Sequence, residues 1–157
     1  MPFEAHLVAL ARAKAHAVAC RFPEGFVLGA DTALCIDRAM LGKAGSAAAA
    51  AAMLRTLAGR THRLSTAVCV IGPTGRGKRR RTLCGVDTVR VTLRAWSPRQ
   101  IAAYVAAVRP FHCAGAYALQ EGGTALIERI QGDPATVVGL PIGLVARLLR
   151  QAGYPVP

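Results

Sequence analysis

Acidic residues and lysines are scarce in this chain of 157 residues. It holds 8 Asp and Glu residues against 20 Lys and Arg residues, which gives a formal net charge of +12 at pH 7. Only 3 of those cations are lysines. A charge of this sign indicates an anionic partner, such as nucleic acid, a nucleotide or a phosphorylated small molecule. The excess of arginine over lysine, together with abundant alanine, is also typical of GC-rich coding.

Long apolar runs are absent as well. The longest candidate, 44–54, is too short and too rich in small residues to cross a bilayer. Nothing near the N-terminus has the pattern of a secretion signal. We therefore expect a cytoplasmic protein without membrane contact.

The cysteines and histidines show no metal-binding spacing. No pair of them is separated as zinc ligands usually are. The five cysteines also lack close partners in sequence, so we expect buried free thiols in a reducing compartment. They are Cys20, Cys35, Cys69, Cys84 and Cys113.

The stretch from Gly29 to Lys43 carries the most informative charges of the chain. Asp31 interrupts an apolar sequence, 26–36, that is typical of a buried strand. A carboxylate in such a run is costly unless it is paired, bound to a metal or used in chemistry. Two interpretations stay open at this point: a structural Asp bonded to backbone amides at a strand end, or a functional carboxylate with Lys43 nearby.

The periodicity predicts a single α/β domain over 1–157, with a mixed sheet flanked by helices. A first helix at 3–20 has an apolar stripe of Leu7, Leu10, Ala11 and Val18. This stripe includes Lys14, which either extends along the surface to solvent or meets a phosphate. Further helices are predicted after the capping residues Ser46 and Ser97. Strands are predicted at 26–37, 62–71, 82–93 and 125–130, and an extended segment at 136–140. A last helix is predicted to start at Pro141 and to end at Gly153.

The densest run of positive charge, Arg76 to Arg81, lies between the two strands of a predicted hairpin. It contains no aromatic residue that could stack on a base. We interpret it as a solvated hairpin loop, with contact to nucleic acid as the alternative. Nucleic acid is therefore not the partner that we expect.

Six short motifs occur in one order along the chain, between residues 10 and 153. They are GADT at 29–32, LGK at 41–43, MLRTLAGRTH at 53–62, AGAYALQ at 114–120, GD at 132–133 and VVGLP at 137–141. Each motif alone is weakly specific, whereas all six in this order are highly specific. Together they resemble the Maf family of nucleoside triphosphate pyrophosphatases.

This resemblance implies the two-lobed α/β fold with a mixed sheet that the Maf family shares with inosine triphosphatases, and commonly a homodimer. The implied activity is hydrolysis of a nucleoside triphosphate to a monophosphate and pyrophosphate. A divalent cation, usually Mg²⁺, is the implied cofactor. We expect dTTP, UTP or a modified pyrimidine nucleotide as the substrate.

The resemblance also implies roles for five residues. Asp31 corresponds to the carboxylate that accepts a proton from the attacking water, and it could hold the metal as well. Lys14 and Lys43 correspond to lysines that face the triphosphate. Thr32 and Gln120 correspond to positions that influence which base is accepted.

Departures from the family pattern raise an alternative. The usual N-terminal phosphate-binding loop, S-x-S-P-R-R, and an Asp-Glu pair are not found, so an N-terminally truncated fold is expected. Cys113 and Glu121 stand where lysine and glycine are usual. We interpret Glu121 as a solvated acid rather than a replacement carboxylate. Cys113 is not expected to be a nucleophile, because His112 would point away from it in an extended chain. The alternative function is a catalytically impaired relative that only binds a nucleotide or a protein partner.

Overall fold

The computed structural model describes residues 3–74 and 80–156. Its elements, in chain order, are α1 (Phe3–Ala19), β1 (Val27–Ile36), β2 (Ala39–Leu41), α2 (Ala47–Leu57), β3 (Thr61–Ile71), β4 (Thr82–Leu93), α3 (Pro98–Val108), β5 (Ile127–Gln131), α4 (Pro134–Val138) and α5 (Ile142–Ala152). The strands form one sheet in the order β2-β1-β3-β4-β5. The predicted α/β class is confirmed, with antiparallel rather than mixed neighbours among these five strands. No helix in the described ranges is both long and apolar enough to cross a bilayer.

The chain divides into two compact units, which are described separately below. The first contains Met1–Thr32, Ser65–Asp87 and Gly139–Pro157, and the second contains Ala33–Leu64 and Thr88–Val138. Strands β1, β3 and β4 each contribute one end to each unit. A single domain over 1–157 stays a prediction.

In the first unit, α5 covers part of the sheet through a small apolar cluster. Leu144 and Leu148 of the helix pack with Val68 and Val70 of β3, and all four side chains are buried. The helix starts after Pro141 and ends at a glycine with φ of 92°, as the sequence predicts.

Helix α1 packs directly on the backbone of β1, also within the first unit. A Cβ atom at Gly29 would lie 2.4 Å from the Ala11 carbonyl oxygen and 2.6 Å from the Ala15 amide nitrogen. Only glycine therefore allows the helix to come this close. The predicted apolar stripe is wrong at Leu10 and Val18, which are exposed. The buried residues of α1 recur every four positions and are Leu7, Ala11, Ala15 and Ala19.

Arg80 fixes the connection between α1 and β1. Its guanidinium donates hydrogen bonds to the carbonyl oxygens of Ala19, of Phe22 at 3.0 Å and of Gly25 at 3.1 Å. It therefore holds carbonyls at and beyond the end of α1, where a cation is favourable. The predicted solvated loop, Arg76 to Arg81, lies largely outside the described residues. Of its described part, Arg80 serves this structural role.

In the second unit, the core joins buried residues of β1, β3 and β4 to those of α2 and α3. Both helices start as predicted. The Ser46 hydroxyl accepts a hydrogen bond from the Ala49 amide, at 3.2 Å. Ser97 and Gln100 form a complete capping box, with each side chain bonded to the other residue's amide.

A buried hydrogen bond connects two of the sequence motifs in this unit. His62 Nε2 lies 2.7 Å from the Tyr117 hydroxyl, and both side chains are almost fully buried. Burial lowers the pKa of His62 to about 4, so the ring is neutral at pH 7. The histidine of the 53–62 motif therefore anchors the tyrosine of the 114–120 motif.

The segment predicted as extended at 136–140 is largely helical. Helix α4 occupies Pro134–Val138. It begins there because the Asp133 carboxylate accepts a hydrogen bond from the Ala135 amide, at 2.9 Å, while Pro134 supplies a φ angle suited to a first turn.

Two of the five cysteines form a disulfide, so the expectation of free thiols is wrong for them. Cys69 of β3 and Cys84 of β4 are bonded, with Cα atoms 4.1 Å apart. They are distant in sequence, but a hairpin brings them opposite one another. The Gly72 amide donates to the Arg81 carbonyl at 3.0 Å in the same register. Cys20, Cys35 and Cys113 are free thiols, but the expected burial is wrong for Cys20, which is exposed.

Reduction of the Cys69–Cys84 disulfide should lower the free energy of unfolding by about 3 kcal/mol, because the bond constrains the unfolded chain. The cysteines are 15 positions apart in sequence. Urea unfolding with and without a thiol reductant measures the difference. In the control, the double variant Cys69→Ala/Cys84→Ala, the reductant should have no effect. Equal stability of the oxidised and reduced wild-type protein would contradict the prediction.

The variant Gly29→Ala should be less stable than the wild type by about 1–3 kcal/mol, because the new methyl group overlaps the backbone of α1. Urea unfolding measures this loss. Gly143→Ala is the matched control, since a Cβ there meets no atom within 4 Å and the residue lies in α5. We expect the control to be neutral or slightly stabilising. A Gly29→Ala protein as stable as the control would show that α1 does not pack as described.

Candidate active site

Asp31 and Lys14 form an ion pair within the first unit. Lys14 Nζ donates to Asp31 Oδ1 and, at 3.2 Å, to the carbonyl oxygen of Ala30. Asp31 lies in the middle of β1, and its side chain is 18% exposed, whereas that of Lys14 is 58% exposed. These contacts favour a charge-paired carboxylate over the strand-end interpretation.

The geometry leaves hydrogen-bonding capacity on both members of this pair. An ammonium group carries three donors, and two of those of Lys14 have protein acceptors. The third is available to an anion, because most of the side chain is exposed. Among the described residues, no hydrogen bond to Asp31 Oδ2 is found, so that oxygen can accept from a water molecule.

Alternation along β1 explains how Asp31 reaches α1. Side chains two residues apart on a strand share a face, so Asp31 lies on the same side as Gly29, where α1 approaches. Thr32 lies on the other side. Its hydroxyl is 2.8 Å from that of Thr66, and a Cβ atom at Gly139 would lie 3.3 Å from it.

The other two predicted residues belong to the second unit. Lys43 is exposed, and its backbone forms a bridge with Ala114 at the start of the 114–120 motif. Gln120 is exposed in the turn that ends this motif. Among the described residues, side-chain contacts therefore join Lys14 to Asp31, but none joins Lys43 to Gln120.

The second unit also contains a cluster that sequence reasoning missed. The ligand atoms of His112, Cys113 and Glu121 all lie within 4.8 Å of one another. The expectation that His112 points away from Cys113 is wrong, because this segment forms a turn and not a strand. Glu121 likewise has a close partner, since its Oε2 lies 3.9 Å from His112 Nε2. The only sign of this cluster in the sequence is the adjacent pair His112–Cys113, which Glu121 follows eight positions after Cys113.

Electrostatics keep the Cys113 thiol protonated at neutral pH. Burial and the negative charge of Glu121 raise its pKa, while the Lys43 ammonium acts in the opposite sense. A thiol with a raised pKa is a poor nucleophile. That Cys113 is not a nucleophile stays a prediction, which its raised pKa supports and the orientation of His112 does not.

A second group of cations borders a surface pocket in the second unit. Arg38, Arg63 and Arg90 line this pocket together with Asp37 and Thr61. None of the five predicted site residues lines it. Part of the large positive charge of the chain is therefore separate from the residues predicted to do chemistry.

Asp31 can serve as a ligand for Mg²⁺. This ion prefers oxygen donors, keeps several waters, and is commonly held through one or two carboxylates together with phosphate oxygens of the substrate. The partly exposed carboxylate of Asp31 fits that requirement. In the described ranges, no group of three potential ligands includes Asp31.

Comparisons with known proteins give close relatives of two substrate classes. The dTTP/UTP pyrophosphatase of Myxococcus xanthus is 42% identical over 154 residues, covering 98% of this chain and 75% of the relative. The 7-methyl-GTP pyrophosphatase of Xanthomonas campestris pv. campestris is 42% identical over 149 residues, covering 94% and 75%. The dTTP/UTP pyrophosphatase of Deinococcus radiodurans is 40% identical over 144 residues, covering 92% and 71%.

The family comparison covers nearly the whole chain. Residues 2–152 match the family described as Maf-like protein. This range includes all six sequence motifs and all five predicted site residues. The chain therefore belongs to the Maf family.

Proposed function

We propose that this protein hydrolyses nucleoside triphosphates to a nucleoside monophosphate and pyrophosphate. Its relatives named as pyrophosphatases and its membership of the Maf family support this reaction class. The observation that carries the proposal is the Lys14–Asp31 pair, in which a carboxylate and a spare cationic donor lie side by side.

In this proposal, Asp31 accepts a proton from the water that attacks the α-phosphorus. A general base must be ionised and within hydrogen-bond reach of that water. The Lys14 ammonium lies beside this carboxylate, and Asp31 Oδ2, which has no hydrogen-bond partner among the described residues, can accept from the water. Because Asp31 lies in a strand, the backbone restricts the direction of its carboxylate. This restriction lowers the entropic cost of reaching a productive geometry.

The lysines have the complementary role of binding the triphosphate. Lys14 directs its remaining N–H toward a phosphate oxygen, and the exposed Lys43 supplies a second ammonium. Positive charge at these positions offsets the negative charge that builds on the phosphate oxygens during attack. Thr32 and Gln120 are proposed to contact the base and so to influence which nucleotide is accepted.

Magnesium belongs to the same proposal. Asp31 is the residue that would hold it. When bound, the ion would supply further positive charge to the phosphate oxygens. The protein would contribute one carboxylate to the ion. Because the Asp31 side chain is partly exposed, waters and phosphate oxygens can complete the magnesium shell.

The relatives' names suggest which nucleotides to test, since they include dTTP, UTP and 7-methyl-GTP. We propose a pyrimidine or modified nucleotide as the substrate and the cytoplasm as the compartment. Disulfides are rare in that compartment, so the oxidation state of Cys69 and Cys84 in cells reports on the location. A homodimer stays a prediction.

The proposal is tested by pyrophosphate release from dTTP, UTP, CTP and 7-methyl-GTP in the presence of Mg²⁺. We expect the folded wild-type protein to release pyrophosphate from at least one of them. Asp31→Asn should lower turnover by at least ~100-fold, as expected for the loss of a general base.

Asp37→Asn is the matched control for this variant. Asp37 also pairs with a cation, Arg60, at 2.6 Å, but the pair is exposed and outside the candidate site. Its backbone φ of 49° suits asparagine as well as aspartate. Turnover should therefore be unchanged. No release by a folded wild-type protein would refute the function, and equal loss in both variants would refute the role of Asp31.

A further inference from the structure

The cluster of His112, Cys113 and Glu121 combines three different donor types in the second unit. It offers an imidazole nitrogen, a sulfur and a carboxylate oxygen, all within 4.8 Å of one another. His112 and Glu121 are exposed, whereas Cys113 is half-buried. The three donors therefore converge at the surface, where an ion can enter.

The backbone fixes the His112–Cys113 dipeptide on both sides. On one side, the Gly45 amide donates to the Phe111 carbonyl at 3.2 Å. On the other side, the Gly115 amide donates to the Gly42 carbonyl at 3.2 Å. The two potential metal ligands thus lie on a short turn, and hydrogen bonds to the segment around Lys43 hold this turn at each end.

A second tight turn presents Glu121. The amides of Glu121 and Gly123 both donate to the carbonyl of Ala118, at 3.2 and 2.9 Å. A Cβ atom at Gly123 would lie 2.2 Å from that same carbonyl oxygen, so only glycine permits the turn. The carboxylate is therefore carried by a constrained backbone although its side chain is exposed.

The alternative roles of these side chains explain the cluster poorly. An ion pair between His112 and Glu121 at 3.9 Å, with side chains 68% and 49% exposed, contributes little to stability. It also leaves the position of Cys113 unexplained. As an isolated thiol beside a carboxylate, Cys113 is poorly suited to nucleophilic attack.

The donor chemistry selects a class of metal ion. Thiolate and imidazole ligands suit Zn²⁺ and related transition metals, whereas Mg²⁺ prefers oxygen ligands. Zinc lies about 2.3 Å from sulfur and about 2 Å from nitrogen or oxygen, which requires donors roughly 3–4 Å apart. The donor atoms lie within 4.8 Å of one another, so small side-chain rotations would bring them to these separations. Three protein ligands would leave a fourth position open.

We propose that His112, Cys113 and Glu121 form a site for a zinc-class divalent metal ion. The site is separate from the oxygen ligand Asp31. It lies in the segment that ends at Gln120, and it is close enough to Lys43 for the lysine charge to act on Cys113. Metal binding at this site does not require that the proposed hydrolysis occurs.

Cobalt(II) is the probe, because it substitutes for zinc and absorbs strongly when bound to a thiolate. The full chain is stripped with a chelator and titrated with Co²⁺, and Zn²⁺ is then added to displace it. We expect a thiolate–cobalt absorption band in the wild type. The band should be lost in Cys113→Ser. Zinc affinity should fall roughly 10-fold or more in His112→Gln and in Glu121→Gln.

The matched control is Cys20→Ser. Cys20 is an exposed free thiol four residues after His16, so it has its own neighbouring imidazole. The control should bind both metals as the wild type does. No band in the wild type, a band that survives in Cys113→Ser, or zinc affinity unchanged in Glu121→Gln would each overturn the proposal. Turnover is not measured, so these outcomes are independent of the proposed hydrolysis.

Discussion

The close approach of α1 to β1 at Gly29 is the constraint on which the candidate active site depends. A carboxylate in the middle of an apolar strand needs a partner, and the partner here is a lysine on the helix that covers that strand. Any side chain at Gly29 would push the helix away. The packing of α1 on β1 and the Lys14–Asp31 pair therefore depend on the same condition, which is the absence of a Cβ atom at Gly29.

The same pairing supports the proposed chemistry. Lys14 compensates the charge of Asp31 and keeps a donor that can bind an anion. Arg80, by contrast, uses its guanidinium on carbonyl oxygens and serves the fold. A large net positive charge therefore has several separate uses, and composition alone does not distinguish them.

The helix starts and the helix end that depend on neighbouring residues are confirmed. The caps at Ser46 and Ser97 and the stop at Gly153 depend on hydrogen bonds within a few residues, so the sequence predicts them. The Cys69–Cys84 disulfide and the His112–Cys113–Glu121 cluster depend on a hairpin register and on a turn. Both arrangements bring distant residues together, and spacing in the sequence does not reveal them. Even the stripe of α1 was misassigned, because small alanines and not the larger Leu10 and Val18 face the strand.

The proposed function depends on attack by a water molecule, activated at Asp31, on the α-phosphorus of a nucleoside triphosphate. Hydrolysis in ¹⁸O-labelled water, followed by mass spectrometry of both products, tests it most directly. We expect the label to enter the nucleoside monophosphate and the pyrophosphate to stay unlabelled. Label in pyrophosphate, or release of labelled orthophosphate as the first product, would contradict it.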